Sequence, residues 1–219
     1  LPPQLLKFVD VVGGIDRGRI WRIVPDGFKN PKPVRLGKAT TAELVALLEH
    51  PNGGDRDTAA RLIYERQDEA AVAPLWAMAK SEVPEAQMHA LYALQGLKAL
   101  RSPDVLAAMK DLDPRLREQA VRLAEGFVTS KALAAQFEDL VDDPNSRVRY
   151  QLAFTPGSFR GASVDKHLAH LARAESENAW FRFALLCSMN ARGGNVFAHL
   201  LSGSTSRGIA PGHTLLHAL

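Results

Sequence analysis

The feature that most constrains this chain is a period. Asp113-Pro-Arg-Leu-Arg-Glu-Gln-Ala-Val-Arg-Leu-Ala-Glu125 reads as a capped amphipathic helix. Asp113 suits the N-cap, and Pro114 suits the first helical position, where its missing N–H costs nothing. Leu116, Ala120, Leu123, Ala124 and Phe127 then recur at helical spacing and make one apolar stripe. With Arg117 as the anchor, similar stretches open at Arg56, Gln87, Arg149 and Arg182. Successive anchors lie 31, 30, 32 and 33 residues apart. A helical unit of that length cannot bury its apolar face alone, so neighbouring units must stack on one another. The expected fold is therefore an all-α solenoid of about five to six helix pairs.

The chain in order supports that expectation from residue 39 onward. Thr40-Thr-Ala-Glu43 is a possible capping box opening a helix with Leu44, Leu47 and Leu48 on one face. Pro51-Asn-Gly-Gly54 ends it, and Asp55 to about Gln67 makes the partner. A second pair runs from about Glu69 to Lys80 and from Pro84 to about Leu97. Ser102-Pro103 opens a third pair, which the Asp113 helix completes. A fourth uses Leu133, Phe137, Leu140 and Val141, followed by Asp143-Pro144 and the helix containing Val148 and Leu152. Thr155-Pro-Gly157 cuts that helix short, and residues 155–162 are expected to form an irregular loop. A fifth pair carries Val164, Leu168, Leu171 and Ala172, then Phe181, Leu185 and Met189. A helix near Asn195–Leu201 begins a sixth. His217-Ala-Leu219 repeats His89-Ala-Leu91 in register, so the sequence stops early in the second helix of that repeat. A solenoid needs its last apolar face closed, so a continuing chain or a partner is expected there.

Residues 1–38 differ. Phe8–Val12 and Arg19–Val24 are short β-branched and aromatic runs separated by Gly13-Gly14 and Asp16-Arg17-Gly18, the pattern of two strands and a turn. Pro25, Pro31, Pro33, Gly27 and Gly37 make 25–38 an extended linker. The expected organisation is a β-strand stub and linker over 1–38, then helical repeats over 39–219. Charge divides at the same place. Residues 1–38 hold eight Lys/Arg against three Asp, whereas the rest holds 19 basic and 21 acidic residues. The pI of 9.1 therefore belongs to the N-terminal segment. A nearly neutral array lacks the clustered basic face that nucleic-acid binding needs. No apolar run reaches the roughly 18 residues needed to cross a bilayer. A single cysteine excludes an internal disulfide and any multi-thiolate metal site.

Two resemblances add to this reading. The Asp-Pro-x-x-(x)-Val/Leu-Arg pattern at 113–120 and 143–152 resembles a HEAT repeat. The resemblance implies a HEAT-like array with a short N-terminal β-strand or extended segment. It also implies an inter-repeat ladder built from Asp113, Arg117, Asp143 and Arg149, with Arg56 and Arg182 at matching anchors. Gln87 departs from the Arg, and Asn178 departs from the Asp before Arg182. More narrowly, Asp16–Pro25, Thr41–Gly53 and Arg56–Leu62 are similar to planctomycete and verrucomicrobial proteins described as membrane-bound dehydrogenases. In those, a β-propeller precedes HEAT repeats and a cytochrome c domain follows. The resemblance implies a non-catalytic scaffold segment in an exported or periplasmic redox protein, with other domains of the same polypeptide or a protein as partners. The family's Cys-x-x-Cys-His haem motif is absent, so no cofactor is expected in this segment and any redox chemistry would lie outside it.

Candidate chemistry is sparse. His167 and His170 lie three apart and His213 and His217 four apart, spacings that can put two imidazoles on one helix face. No third ligand follows at a fixed offset, so packing or surface histidines are the expectation, with no metal site. Cys187 sits in Leu185-Leu-Cys-Ser-Met189 with no basic neighbour and reads as a small buried residue. Trp76, Trp180, Phe181 and Phe183 could line a groove but are expected in helix packing. Arg117, Arg149 and Arg182 could bind phosphate, yet inter-repeat pairing is the expectation. No Walker A, dinucleotide glycine motif, nucleophile elbow or His-Glu-x-x-His occurs. The competing expectations are a nucleic-acid-binding or DNA glycosylase-type solenoid, and an enzyme with a site at the break near Thr155–Gly161.

Overall fold

A computed structural model of the chain describes Gly13 and residues 23–29, 35–159, 161–175, 177–189 and 192–202. Two compact units result, Leu1–Val34 and Arg35–Leu219. In the first, the described residues form a turn in which the Phe28 N–H donates to the Pro25 carbonyl at 3.2 Å, with Gly27 at φ 78°. Most of the two expected strands lies outside the described residues. Ile23 and Val24, the described end of the second, are exposed and in neither helix nor strand.

The second unit is all-helical among the described residues. Its α-helices are α1 (Thr41–Ala46), α2 (Gly53–Arg66), α3 (Val72–Met78), α4 (Pro84–Gly96), α5 (Ser102–Ala108) and α6 (Pro114–Leu123). They continue as α7 (Lys131–Leu140), α8 (Ser146–Phe154), α9 (Ala162–Glu175), α10 (Ala179–Ser188) and α11 (Gly193–Ser202). None is long and apolar enough to cross a membrane.

Local chemistry fixes where these helices start. Thr40 and Glu43 close a capping box, the Thr40 N–H donating to Glu43 Oε2 at 2.7 Å and the Glu43 N–H to Thr40 Oγ1 at 3.3 Å. Asn52, Asp113, Asn145 and Asn178 cap α2, α6, α8 and α10 through their side-chain oxygens. Pro84 and Pro114 open α4 and α6, where no intrahelical N–H is needed. At the far end of α2, Gln67 takes a left-handed conformation (φ 48°) usually reserved for glycine. Its side chain donates to the Tyr64 carbonyl at 2.6 Å, which satisfies one of the helix's last acceptors.

Packing follows the apolar stripes. The even-numbered helices stack in a row, α2 on α4, α4 on α6, α6 on α8 and α8 on α10. In the other row α1 meets α3, α5 meets α7, α7 meets α9 and α9 meets α11. Leu116, Ala120, Val121 and Leu123 of α6 are buried between the rows, as are Val148, Leu152 and Ala153 of α8. Residues 155–162 depart from the expected irregular loop. A 3-10 turn spans Thr155–Ser158, and Thr155, Pro156 and Phe159 are all buried. Pro156 cannot donate to the α-ladder, so the chain tightens instead of continuing as α-helix. Phe159 then sits edge-on against Phe137 with ring centroids 4.9 Å apart, filling core volume that a solvated loop would leave empty.

Candidate functional site

The second helix of each pair carries a repeated polar arrangement. Arg56, Arg117, Arg149 and Arg182 each fall four residues after an N-cap, and Gln87 takes the same place after Val83. Each of the four arginines donates Nη1 back to carbonyls at the end of the preceding connection. The distances are 2.7 Å from Arg56 to His50, 2.8 Å from Arg117 to Asp111, 2.6 Å from Arg149 to Asp143 and 3.0 Å from Arg182 to Glu177. These carbonyls have no helical partner, so the guanidinium ties the turn to the helix that follows.

A second repeated position lies two residues before the N-cap. Here His50 Nδ1, Ser81 Oγ, Asp111 Oδ1 and Asp143 Oδ1 each accept the N–H of the cap residue. These four lie 31, 30 and 32 residues apart, the same spacing as the anchors six residues after them.

Two guanidinium groups also reach the next pair. Arg117 grips Asp143 with both ends of its fork, Nε to Oδ2 at 2.7 Å and Nη2 to Oδ1 at 2.9 Å. Asp143 is buried, and burial alone pushes its carboxyl up. The hydrogen bonds from Arg117 and the Asn145 N–H outweigh that and hold it below the ordinary carboxylate value. Arg149 reaches Glu175 with the same two nitrogens, but both converge on one oxygen, Nε to Oε1 at 2.8 Å and Nη2 to Oε1 at 2.5 Å. Arg56 donates only to backbone, and its Nε is buried without a partner.

Asp113 behaves differently from its assignment to the ladder. It caps α6 through the Arg115 N–H at 2.7 Å and pairs with the Arg115 side chain at 2.7 Å. The two Asp-Pro motifs are out of frame with each other. Asp113 is itself the N-cap, whereas Asp143 stands two residues before the cap Asn145. The in-frame counterpart of Asp143 is Asp111. Arg115 also bonds Glu85 at 2.7 Å, and Arg147 bonds Glu118 at 3.0 Å, making a second row of ion pairs whose arginines are exposed.

A polar network without a counterpart in the sequence pattern ties α9 to the start of α11. Arg192 donates to Asp165 Oδ1 at 3.1 Å and Asn195 donates to Oδ2 at 3.2 Å, with Asp165 buried. No periodic signal marks Arg192, which lies between α10 and α11.

His167 and His170 line one groove. Glu138, Asp142, Ser163, Lys166, His167 and His170 line a cavity of about 370 Å³ beside α9. His170 Nε2 lies 2.8 Å from Asp142 Oδ1. His167 is buried, its Nδ1 has no hydrogen-bond partner, and burial pushes its imidazole below the ordinary value. Among the described residues no three of His, Cys, Asp and Glu converge to hold a metal ion. His213 and His217 lie outside the described residues.

α10 overturns two expectations. Phe181, Ala184, Leu185 and Ser188 turn inward, so the helical rotation places Trp180, Phe183 and Cys187 on the opposite side. Cys187 is exposed, as are Trp180 and Phe183, although the Phe183 ring stands edge-on to Phe154 with centroids 6.2 Å apart. Trp76 lies under the Arg101 guanidinium, 4.1 Å from its ring centroid.

No protein-family model matches this chain, and no curated protein matches it.

Proposed function

We propose that residues 39–202 are a HEAT-like α-solenoid whose role is to space and orient other domains of a larger polypeptide. The observation that supports this most is the recurrence of one tie. An arginine four residues after the N-cap holds the preceding turn, and at Arg117 and Arg149 it also holds a carboxylate in the next pair. Such ties fix the rotation of each pair on its neighbour, which is what a scaffold needs. The polar groups most regularly repeated along the chain are thereby occupied with one another. That speaks against a catalytic role for them. It also speaks against a nucleic-acid face, because Arg115 and Arg147 are paired with carboxylates.

In this proposal the neighbouring domains are a β-propeller before the segment and a cytochrome c domain after it, in an exported redox protein. Reading the full reading frame tests that placement: an upstream propeller pattern and a downstream Cys-x-x-Cys-His are expected. A frame with neither refutes the placement and leaves the repeat untouched. A DNA-binding titration tests the scaffold role itself, and retention of duplex or single-stranded DNA at about 150 mM salt would contradict it.

A further inference from the structure

We propose that the boundary between the second and third helix pairs is a hinge, with α1–α4 as one body and α5–α11 as the other. Three observations coincide there. The buried apolar residues divide into two groups, one built on Leu44, Leu48, Ile63, Leu75 and Leu94, the other running from Val105 and Met109 to Leu200. Helix α4 is the seam: Ala90, Ala93 and Leu94 belong to the first group and Leu91 to the second. In the odd-numbered row, α3 and α5 barely touch, whereas every later neighbour in that row packs side by side. The carboxylate rungs also begin only beyond this point, since Arg56 in the first pair donates to backbone carbonyls. Asp111 occupies the position that Asp143 holds one pair later, but Gln87 stands in place of the arginine that would donate to it.

Beside the packing of α4 on α6, and of Ala79 and Leu100 against both groups, the boundary is crossed by adjustable polar contacts. Tyr92 Oη donates to Gln119 at 2.6 Å, Arg115 reaches Glu85 through two exposed side chains, and Arg101 stacks over Trp76. A long exposed ion pair and a cation stacked on a ring keep contact through a shift of an ångström or more. A buried bidentate rung does not. The connection from α4 into the second body also passes through Lys98 in a left-handed conformation (φ 57°). Rigid bodies that meet on a small apolar seam and adjustable polar contacts are the ordinary makings of a hinge. The consequence for a scaffold is adjustable spacing between what is attached to its two ends. The proposal stands on helix contacts rather than on the scaffold role, so each can fail without the other.

Double electron–electron resonance on the full 219-residue chain tests it. Spin labels on the exposed Cys187 and on an Arg61→Cys variant span the boundary, and labels on Cys187 and Lys131→Cys stay within the second body. The spanning distribution should be about twofold broader than the control. Gln87→Arg should narrow it by supplying the missing rung, and Asp111→Asn in that background should restore the breadth while still accepting the Asp113 N–H. Circular dichroism checks that each variant is folded. A spanning distribution as narrow as the control overturns the hinge. A broad distribution that Gln87→Arg leaves unchanged overturns the assignment of its cause.

Discussion

Arg117 and Asp143, 26 residues apart in sequence, form a two-pronged pair that is nearly sealed from solvent, with side chains 13% and 3% exposed. Arg115, only two residues from Arg117, is itself 60% exposed in both of its ion pairs. Burial decides which of these matters. An exposed pair exchanges one solvated arrangement for another, whereas removing one half of a buried pair strands the other charge in a poorly solvating interior. Arg117→Ala should therefore lower the unfolding free energy by about 3 kcal/mol, and Arg115→Ala should leave the melting temperature unchanged within error. Urea denaturation and thermal melts followed by circular dichroism read both.

The Arg149–Glu175 pair is more open, at 22% and 18% exposure, and both of its hydrogen bonds fall on one carboxylate oxygen. Arg149→Ala should cost roughly 1.5–2 kcal/mol, between the other two, because water solvates part of the carboxylate that remains. Urea midpoints for the three arginine variants should rank in that order.

Gly157 lies against the backbone of α10. A Cβ there would meet Ser188 Cα at 2.8 Å and Oγ at 3.0 Å, and Ser188 Oγ donates to the Ala153 carbonyl at 2.6 Å. Neither atom can swing away, so Gly157→Ala should cost about 1–3 kcal/mol. Gly96 makes an instructive contrast, since a Cβ there would meet Cδ2 of the exposed Tyr64 at 2.7 Å. That ring can rotate out, and Gly96→Ala should be neutral or slightly stabilising because alanine favours the helix. Melting temperatures of the two variants give the comparison directly.

His167 and His89 make stability depend on mild acid. Burial pushes both imidazoles below their ordinary value of 6.5, with nearby carboxylates only partly opposing it. Between the lowered folded value and 6.5 the unfolded chain binds more protons than the folded one. The contribution is therefore full above 6.5 and is lost as pH falls through the folded value. Stability should decline from about pH 7 to pH 5, and His167→Gln with His89→Gln should flatten that decline. Urea midpoints across this range, measured on the chain with and without both substitutions, provide the check.

Much of the helical pattern was legible in the sequence because two signals agreed: a stripe at helical spacing and an Asn, Asp or Pro at its start. The anchors found by periodicity do share one structural position. The acceptors were harder to see. Asp-Pro occurs at 113 and 143, and the shared dipeptide hid a shift in frame that makes one aspartate a cap and the other a rung. Six residues before each of the first four anchors stand His50, Ser81, Asp111 and Asp143, acceptors of three different kinds at the anchor spacing. Glu175 and Arg192 had no such signal, since their partners are set by tertiary packing alone. Phe159 was unreadable for a different reason: proline and glycine nearby mark a break, and local chemistry does not say whether a break is solvated or packed. The faces of α10 were misjudged because Trp180, Phe183 and Cys187 are apolar enough to suggest a core, although helical rotation carries them away from Phe181 and Leu185.

The central claim is that the repeated arginines hold one helix pair to the next. A double-mutant cycle on Arg117→Ala and Asp143→Ala, with stability read by urea denaturation, tests it most directly. The expected result is a favourable coupling of about 2–3 kcal/mol, with the double variant losing far less than the sum of the two single losses. A coupling within about 0.5 kcal/mol of zero would mean that the two side chains act independently, and would contradict the claim.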